Sequence, residues 1–187
     1  MSNVIRSFVA FDIDNKLVLR RFSEVQNMLV ATGANLKLVK PQNIHITMRF
    51  LGNISPSMVD LVYEEMRKIS YTPFEVEIRG LGVFPSYNYT RVIWAGVQGG
   101  VDKLKDIFNQ LDLPLRRLGF KSDPKGFNPH LTLARVKTGQ NKSELINCIK
   151  NVTNYEFGTI NTNFLRLKKS VLTPRGPIYS TIYEVTG

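Results

Sequence analysis

Strand patterns recur along most of this chain and limit what it can fold into. In "NIHITMRFL" (43–51), apolar and polar residues alternate, so Ile44 and Ile46 share one face of an extended strand and His45 and Thr47 share the other. Similar segments are VIRSFVAFDI, FEVEIRG, RVIWAGV, HLTLARV, FLRLKKSVL and IYSTIYEV. Alternation with one apolar face is typical of antiparallel sheets, whereas parallel strands covered on both faces are almost continuously apolar. We therefore expect antiparallel sheets.

Four segments between these strands have apolar residues at helical spacing. Asp14 is a candidate N-cap of the first helix and Gly33 its end, while Ser55 should cap the second helix with Pro56 at the first helical position. Pro114 should kink or interrupt the third helix. The apolar stripes are Val18, Phe22, Val25 and Leu29 in the first helix; Val59, Val62, Met66 and Ile69 in the second; Leu104, Ile107, Leu111 and Leu118 in the third, from about Val101; and Leu145, Ile149 and Val152 in the fourth. Helices interspersed with antiparallel strands predict an α+β fold.

The charge of the chain favours an anionic partner. The 187 residues carry 25 basic and 15 acidic side chains, a net charge of +10. This excess is typical of proteins that bind nucleic acid, nucleotides or acidic lipid surfaces. The basic residues are scattered rather than collected in a tail, so a folded, positively charged groove fits better than a disordered arm.

Several classes of protein are disfavoured by the composition. Cys148 is the only cysteine, which excludes an internal disulfide and a Cys-rich zinc site. No apolar run approaches the roughly 18 residues that span a bilayer, and the first residues lack the features of a signal peptide. We therefore expect a cytoplasmic protein with no membrane partner.

The chain has two histidines, and each stands in the frame His-x-Thr-x between apolar residues. His45 lies in "IHITMR" and His130 in "PHLTLAR". Because residues i and i+2 of a strand point to the same side, each motif projects an imidazole and a hydroxyl together, from Thr47 and Thr132 respectively. A helix precedes the motif in each half, which indicates an approximate duplication. If the two strands lie across a groove, the two imidazoles face one another.

Two facing imidazoles suit the cleavage of a phosphodiester. One neutral ring can take a proton from the attacking oxygen, and one charged ring can give a proton to the leaving oxygen. Threonine hydroxyls and an arginine can bind the phosphate oxygens. Zinc usually needs three or four protein ligands, more than two histidines supply, so we expect neither a metal nor a cofactor. A Ser-His-Asp triad would leave the repetition of the motif unexplained.

The motifs, together with their surroundings, resemble a known family. The segments HITMRFLG, GLGVFPS, RVIWAGV, FNPHLTLARV and SVLTPRGPIY occur in this order. They are similar to the 2H phosphoesterase superfamily, in particular its RNA 2′,3′-cyclic phosphodiesterase branch, also called 2′-5′ RNA ligase. The resemblance implies a bilobal α+β fold, in which two antiparallel sheets related by a pseudo-two-fold axis form a central groove with helices outside. It also implies one catalytic domain of two interleaved lobes over residues 1–187, and we expect a monomer.

The resemblance further implies an activity and a role for five residues. The expected reaction is hydrolysis of an RNA 2′,3′-cyclic phosphate end to a 2′-phosphomonoester, with reversible 2′-5′ ligation sometimes assigned to the branch. His130 resembles the general base and His45 the general acid, while Thr47 and Thr132 match the hydroxyls that hold the phosphate. Arg135 matches an arginine near the phosphate. Strand alternation puts Arg135 opposite His130, so a bulge or strand end must bring it to the site.

Other roles stay open at this point. A module that binds RNA or nucleotides in the same basic groove without chemistry would share the charge, and an enzyme whose main product is a ligated RNA would share the motifs. Arg49 and Arg175 are weaker site candidates, since Arg49 could simply face solvent and a role in loop closure or in the turn suits Arg175 equally well. The aromatic residues that could stack on a base are Phe11, Phe50, Phe84, Tyr87, Tyr89 and Tyr179, with Tyr87 and Tyr89 favoured by a predicted exposed loop.

Overall fold

Two antiparallel sheets and four helices make up the fold, in a computed structural model that describes residues 4–122 and 126–187. The strands are β1 (Ile5–Asp12), β2 (Leu36–Leu38), β3 (His45–Ile54), β4 (Glu75–Ser86), β5 (Tyr89–Val97), β6 (His130–Val136), β7 (Glu156–Asn161), β8 (Phe164–Thr173) and β9 (Gly176–Thr186). The helices are α1 (Lys16–Ala31), α2 (Pro56–Met66), α3 (Val101–Arg117) and α4 (Lys142–Asn151), with a short 3₁₀ turn at Pro41–Asn43. The predicted α+β class is confirmed.

The order of the strands relates the two sheets to each other. Sheet A has the order β3-β1-β8-β9, and sheet B has the order β2-β6-β5-β4-β7. In each sheet the strand that begins with a histidine pairs with an earlier strand that is followed by a helix. β1 is followed by α1 and pairs with β3, and β5 is followed by α3 and pairs with β6. The two ends of the chain contribute to sheet A, and the middle of the chain forms most of sheet B.

The helices pack on the sheets from outside. α1 leads from β1 of sheet A to β2 of sheet B and packs against β6 and β7 of sheet B, beside α4. α3 links two strands of sheet B but packs against β3 of sheet A, beside α2. Buried residues of both sheets and all four helices form one continuous core. The two sheets are therefore tied together by α3 and by this shared core.

The helix boundaries follow local chemistry. The predicted cap of α2 is confirmed, because the Ser55 hydroxyl accepts a hydrogen bond from the backbone N–H of Met58. The N-cap of α1 is Asn15 rather than Asp14, since the Asn15 side chain accepts hydrogen bonds from the first turn. The predicted interruption at Pro114 is wrong: α3 continues to Arg117, with buried Leu111 and Leu115 holding it on both sides of the proline.

Two strands were not predicted from the sequence. β2 has three residues, and β7 contains Gly158 at a positive φ of 116°, which weakens its strand pattern. These strands form the two edges of sheet B. In addition, β4 and β5 extend into the predicted loop at 84–90 and leave only a tight turn at 87–88. No helix in the described residues is long and apolar enough to cross a membrane.

Candidate active site

The two histidine-bearing strands approach each other where sheets A and B meet. β3 and β6 are in contact, and His45 and His130 each occupy the first position of their strand. The rings also interact electrostatically, because a positive charge on His130 lowers the pKa of His45. The structure therefore brings the two predicted histidines into one electrostatic environment.

Both imidazoles are held by the same backbone contact. Nδ1 of His45 lies 2.7 Å from the carbonyl oxygen of Asn43, and Nδ1 of His130 lies 2.8 Å from the carbonyl oxygen of Asn128. A carbonyl oxygen can only accept, so Nδ1 must carry the proton and donate it in both rings. Nε2 is then the atom that can exchange a proton with a substrate. The repeated unit is thus Asn-x-His-x-Thr. The asparagine stands in both motifs of the sequence, but its contact with the histidine is seen only in the structure.

A bulge follows the threonine in each strand. In β6, Thr132 pairs with Trp94 and Ala134 with Ile93, so Leu133 is an extra residue. In β3, Thr47 pairs with Ala10 and Arg49 with Val9, so Met48 is the extra residue. An extra residue reverses the alternation of side chains beyond it. The fifth residue after each histidine, Phe50 in β3 and Arg135 in β6, consequently lies on the same face as the histidine and the threonine.

The bulge turns Arg135 to the face of β6 that carries His130 and Thr132. Arg135 pairs with Lys37 of β2 and Val92 of β5, and its positive charge acts on the hydroxyl of Tyr179 in sheet A. Burial raises the pKa of Tyr179, while the charges of Arg135 and Arg6 oppose this rise. Tyr179 in turn packs edge-on against His45, with ring centroids 5.4 Å apart. Arg135 is therefore near both lobes of the candidate site.

His45 is half-buried in a charged setting. Its ring is 4.9 Å from that of Phe8, and it pairs across strands with Asp12, which accepts hydrogen bonds of 2.5 and 2.6 Å from Lys168. Burial lowers the pKa of His45, and the positive charges of Lys168 and His130 lower it further. The hydrogen bond to Asn43 and the negative charge of Asp12 act in the opposite direction. In the free protein this environment favours the neutral imidazole.

His130 has aromatic neighbours and lies nearer to solvent. Phe84 packs edge-on against it with ring centroids 5.0 Å apart, and the ring of Trp94 lies 6.2 Å away. The indole covers Gly82 so closely that a Cβ there would come within about 2.1 Å of it, so glycine is needed at this position. Phe84 was among the aromatic residues named from the sequence, whereas Trp94, Asp12 and Lys168 were not.

The two threonines and Arg49 lie in different surroundings. Thr47 and Thr132 are half-buried, and within the described residues neither hydroxyl has a hydrogen-bond partner. Arg49 is turned away from the groove by the bulge; it is buried, pairs with Asp112 of α3 at 3.3 Å and donates to the Lys121 carbonyl oxygen. Its guanidinium is therefore held against α3 rather than in the groove.

Phe11 and Phe50, two of the other aromatic candidates, differ in exposure. Phe11 is in the core, while Phe50 is 65% exposed on the groove face. Arg175 lies in the turn between β8 and β9. In residues 4–122 and 126–187, no group of three or more His, Cys, Asp or Glu side chains could hold a metal ion.

Comparison with known proteins identifies the family. A family model described as LigT like Phosphoesterase matches residues 13–94 and 96–179, and each stretch contains one of the two histidines. The chain belongs to this family. The same model therefore matches this phosphoesterase twice, once in each half of the chain.

Curated relatives and solved structures agree with this assignment. The chain is 37% identical over 165 residues to an RNA 2′,3′-cyclic phosphodiesterase of Aeropyrum pernix, covering 88% of this chain and 94% of the relative. It is 36% identical to one of Methanothermobacter thermautotrophicus, covering 94% and 95%. A protein of Thermus thermophilus has the same fold, with a TM-score of 0.82, 24% identity and 97% coverage of both chains. E. coli LigT in apo form has a TM-score of 0.77 at 19% identity, covering 98% and 97%.

Proposed function

We propose that this phosphoesterase hydrolyses RNA 2′,3′-cyclic phosphate ends to 2′-phosphomonoesters, as a single catalytic domain of two interleaved lobes. The observation that carries the proposal is the matched pair of imidazoles, each with Nδ1 bound to a backbone carbonyl and with Nε2 lacking a hydrogen-bond partner among the described residues. The relatives named RNA 2′,3′-cyclic phosphodiesterase support the choice of substrate, and the net charge of +10 agrees with an RNA end. Residues 1–3 and 123–125 of this domain lie outside the described residues.

In the proposed reaction, Nε2 of neutral His130 accepts a proton from water as the water oxygen attacks the cyclic phosphorus. The bond from phosphorus to the ribose 3′-oxygen breaks, and Nε2–H of charged His45 donates a proton to that oxygen. The product carries its phosphate on the 2′-oxygen. Thr47 and Thr132 donate hydrogen bonds to the non-bridging oxygens, and Arg135 stabilises the negative charge that develops on them.

The lowered pKa of His45 bears directly on its role as the acid. Burial and nearby cations disfavour the charged ring in the free protein. A bound phosphodiester adds a negative charge beside the ring, and an opposite charge nearby favours the protonated form of an imidazole. Substrate binding should therefore raise the pKa of His45 and charge the acid only when there is a leaving group to protonate.

Two features of the proposal rest on the chemistry of the side chains alone. Two imidazoles, two hydroxyls and a guanidinium supply the proton transfers and the charge stabilisation, so we propose that no metal takes part. A 5′-hydroxyl of RNA could replace the attacking water without any change in the roles of the histidines. The product would then be a 2′-5′ junction, which is the proposed origin of any ligase activity.

The test is identification of the product. An oligoribonucleotide ending in a 2′,3′-cyclic phosphate is incubated with the protein in the presence of EDTA, with and without an RNA bearing a 5′-hydroxyl. We expect a 2′-phosphate end as the main product under both conditions. A 3′-phosphate product, a requirement for added metal, or binding without any turnover would each overturn the proposal, and an excess of joined RNA would make ligation the main activity.

A further inference from the structure

We propose that a basic and aromatic surface beyond the groove binds the body of a single-stranded RNA whose cyclic end occupies the candidate active site. We call it the hairpin-tip surface. It consists of Tyr87, Tyr89, Arg91, Lys137, Lys142 and Lys150. The inference rests on the proposed function, since it assigns a binding surface to the rest of the RNA whose cyclic end that function hydrolyses.

Aromatic and cationic side chains are interleaved on this surface. Tyr89 and Tyr87, on either side of the tip of the β4–β5 hairpin, are 57% and 38% exposed. The Arg91 guanidinium lies 4.6 Å from the centroid of the Tyr89 ring, and the Lys150 ammonium lies 5.9 Å from that of Tyr87. Exposed rings on which bases can stack, next to cations that follow the phosphates, are the features with which proteins bind single strands.

Specific contacts also hold the parts of this surface together. Lys142, at the start of α4, donates a 2.6 Å hydrogen bond to the Asn88 carbonyl oxygen and so fixes the hairpin tip to the helix. A cavity of about 290 Å³ lies between the hairpin, the end of β6 and α4, lined among others by Tyr89, Arg91 and Lys137. This volume is near the lower end of the range for small-molecule sites, about 300–1,000 Å³.

The cations of the hairpin-tip surface are not neutralised. Within the described part of the chain, none of Arg91, Lys137, Lys142 and Lys150 forms an ion pair. At the end of α2, by contrast, Arg67 and Lys68 pair with neighbouring glutamates. Uncompensated cations attract a polyanion and release counterions when it binds. The charge therefore favours RNA over an apolar or basic partner.

The surface adjoins the groove at the hairpin but lies on the other face of sheet B. Phe84, three residues before Tyr87 on the same hairpin, contacts His130, and Val92, next to Arg91, pairs with Arg135. Residues three apart along a strand are about 10 Å apart. Arg91 lines a cavity with Lys142 and Leu145 of α4, whereas Trp94 contacts His130, so a strand that leaves the groove would pass over the hairpin tip to reach Arg91. Only nucleotides upstream of the cyclic end would touch this surface.

The experiment compares a short and a long substrate. The short one is a 2′,3′-cyclic mononucleotide, and the long one is a single-stranded oligoribonucleotide of about 12 nucleotides with a 2′,3′-cyclic phosphate end. The variants are Lys137→Gln/Lys150→Gln and, separately, Tyr89→Ala. The matched control is Lys105→Gln/Arg117→Gln, which removes the same charge from exposed positions of α3. Folding of each variant is checked by thermal unfolding.

We expect the hairpin-tip variants to raise KM for the oligonucleotide about tenfold, with kcat/KM for the mononucleotide unchanged and the control without effect. The double variant should also reduce the dependence of log KM on log salt by about 1.4, since each phosphate contact on a single strand contributes about 0.7. An unchanged KM for the oligonucleotide, or an equal loss with both substrates, would overturn the inference.

A second measurement separates this inference from the proposed function. Fluorescence anisotropy of an oligoribonucleotide with an ordinary 3′-hydroxyl end reports binding without hydrolysis. Weaker binding by the hairpin-tip variants than by the control would support the surface even if no cyclic phosphate were hydrolysed. Normal hydrolysis of both substrates combined with unchanged RNA binding would reject the surface and leave the proposed function standing.

Discussion

β3 and β6 present the same groups in the same order but in different surroundings. Each strand begins with a histidine held by a carbonyl two residues earlier, continues with a threonine, and then bulges. Around His45 there are buried charges, with Asp12 and Lys168 beside the ring, whereas Phe84 and Trp94 flank His130. A shared backbone geometry therefore aims both rings, while the neighbours lower the pKa of His45 and surround His130 with aromatic rings.

The two bulges are also braced differently. At the β3 bulge, Arg49 forms a buried ion pair with Asp112 of α3. At the β6 bulge, Gln26 of α1 donates hydrogen bonds of 2.9 and 2.8 Å to the carbonyl oxygens of Leu133 and Val39. In both cases the contact comes from a helix packed on that sheet, α3 on sheet A and α1 on sheet B. The β3 bulge is thus braced by charged groups and the β6 bulge by neutral ones.

The largest expected effect comes from replacing either histidine, and it tests whether the reaction needs both. His45→Ala and His130→Ala should each lower kcat about 10²–10⁴-fold, because each removes one of the two proton transfers. The measurement is hydrolysis of the cyclic-phosphate oligonucleotide under saturating conditions. Activity near the wild-type level in either variant would mean that the reaction uses a different acid or base.

Substitutions of the two residues that follow the bulges should have unequal effects on kcat/KM. Arg135→Met should lower kcat/KM about 100-fold, since it removes a charge that stabilises the transition state. Phe50→Leu, at the equivalent position of β3, carries no charge and should have a far smaller effect. Both are measured with a 2′,3′-cyclic mononucleotide. Equal losses in the two variants would contradict the assignment of phosphate binding to the β6 side.

The braces should differ in their effect on stability. Arg49→Met leaves Asp112 with only the exposed Arg116, 3.9 Å away, and removes the hydrogen bond to the Lys121 carbonyl oxygen. The variant should lower the free energy of unfolding by about 3 kcal/mol. Gln26→Leu should lower it by only about 1 kcal/mol, because the Leu133 carbonyl oxygen still accepts a hydrogen bond from the backbone N–H of Val39. Urea unfolding of the two variants gives both values. The reverse order would show that the neutral brace is the stronger one.

The smallest expected effect is a shift in the pH dependence. If charged His45 is the acid, kcat/KM must fall as pH rises through its pKa, which burial keeps below about 6.5 in the free protein. Lys168→Met removes a charge that lowers this pKa, so the alkaline limb should move to higher pH. NMR titration of the His45 ring in both proteins provides an independent check. A limb that stays in place would separate His45 from the alkaline titration.

The two strands that carry the histidines, β3 and β6, were predictable because alternation is a property of a short segment. Alternation around His45 and His130, the cap at Ser55 and the apolar stripes of the helices are properties of short segments, and they gave the α+β class and most elements. The short edge strand β2 has too few residues to show a period, and the alternation of β3 and β6 hid the bulges, since an extra residue is defined only by the partner strand.

The sequence by itself determined the repeated His-x-Thr-x unit, the excess of positive charge and the set of residues able to carry the chemistry. Only the tertiary structure decided which side chains share the groove: the bulges turned Arg135 towards it and Arg49 away, and burial beside Lys168 set the proton affinity of His45. The physical reason is that alternation acts between neighbours along one strand, whereas pairing register, burial and electrostatic fields arise between segments that lie far apart in the chain.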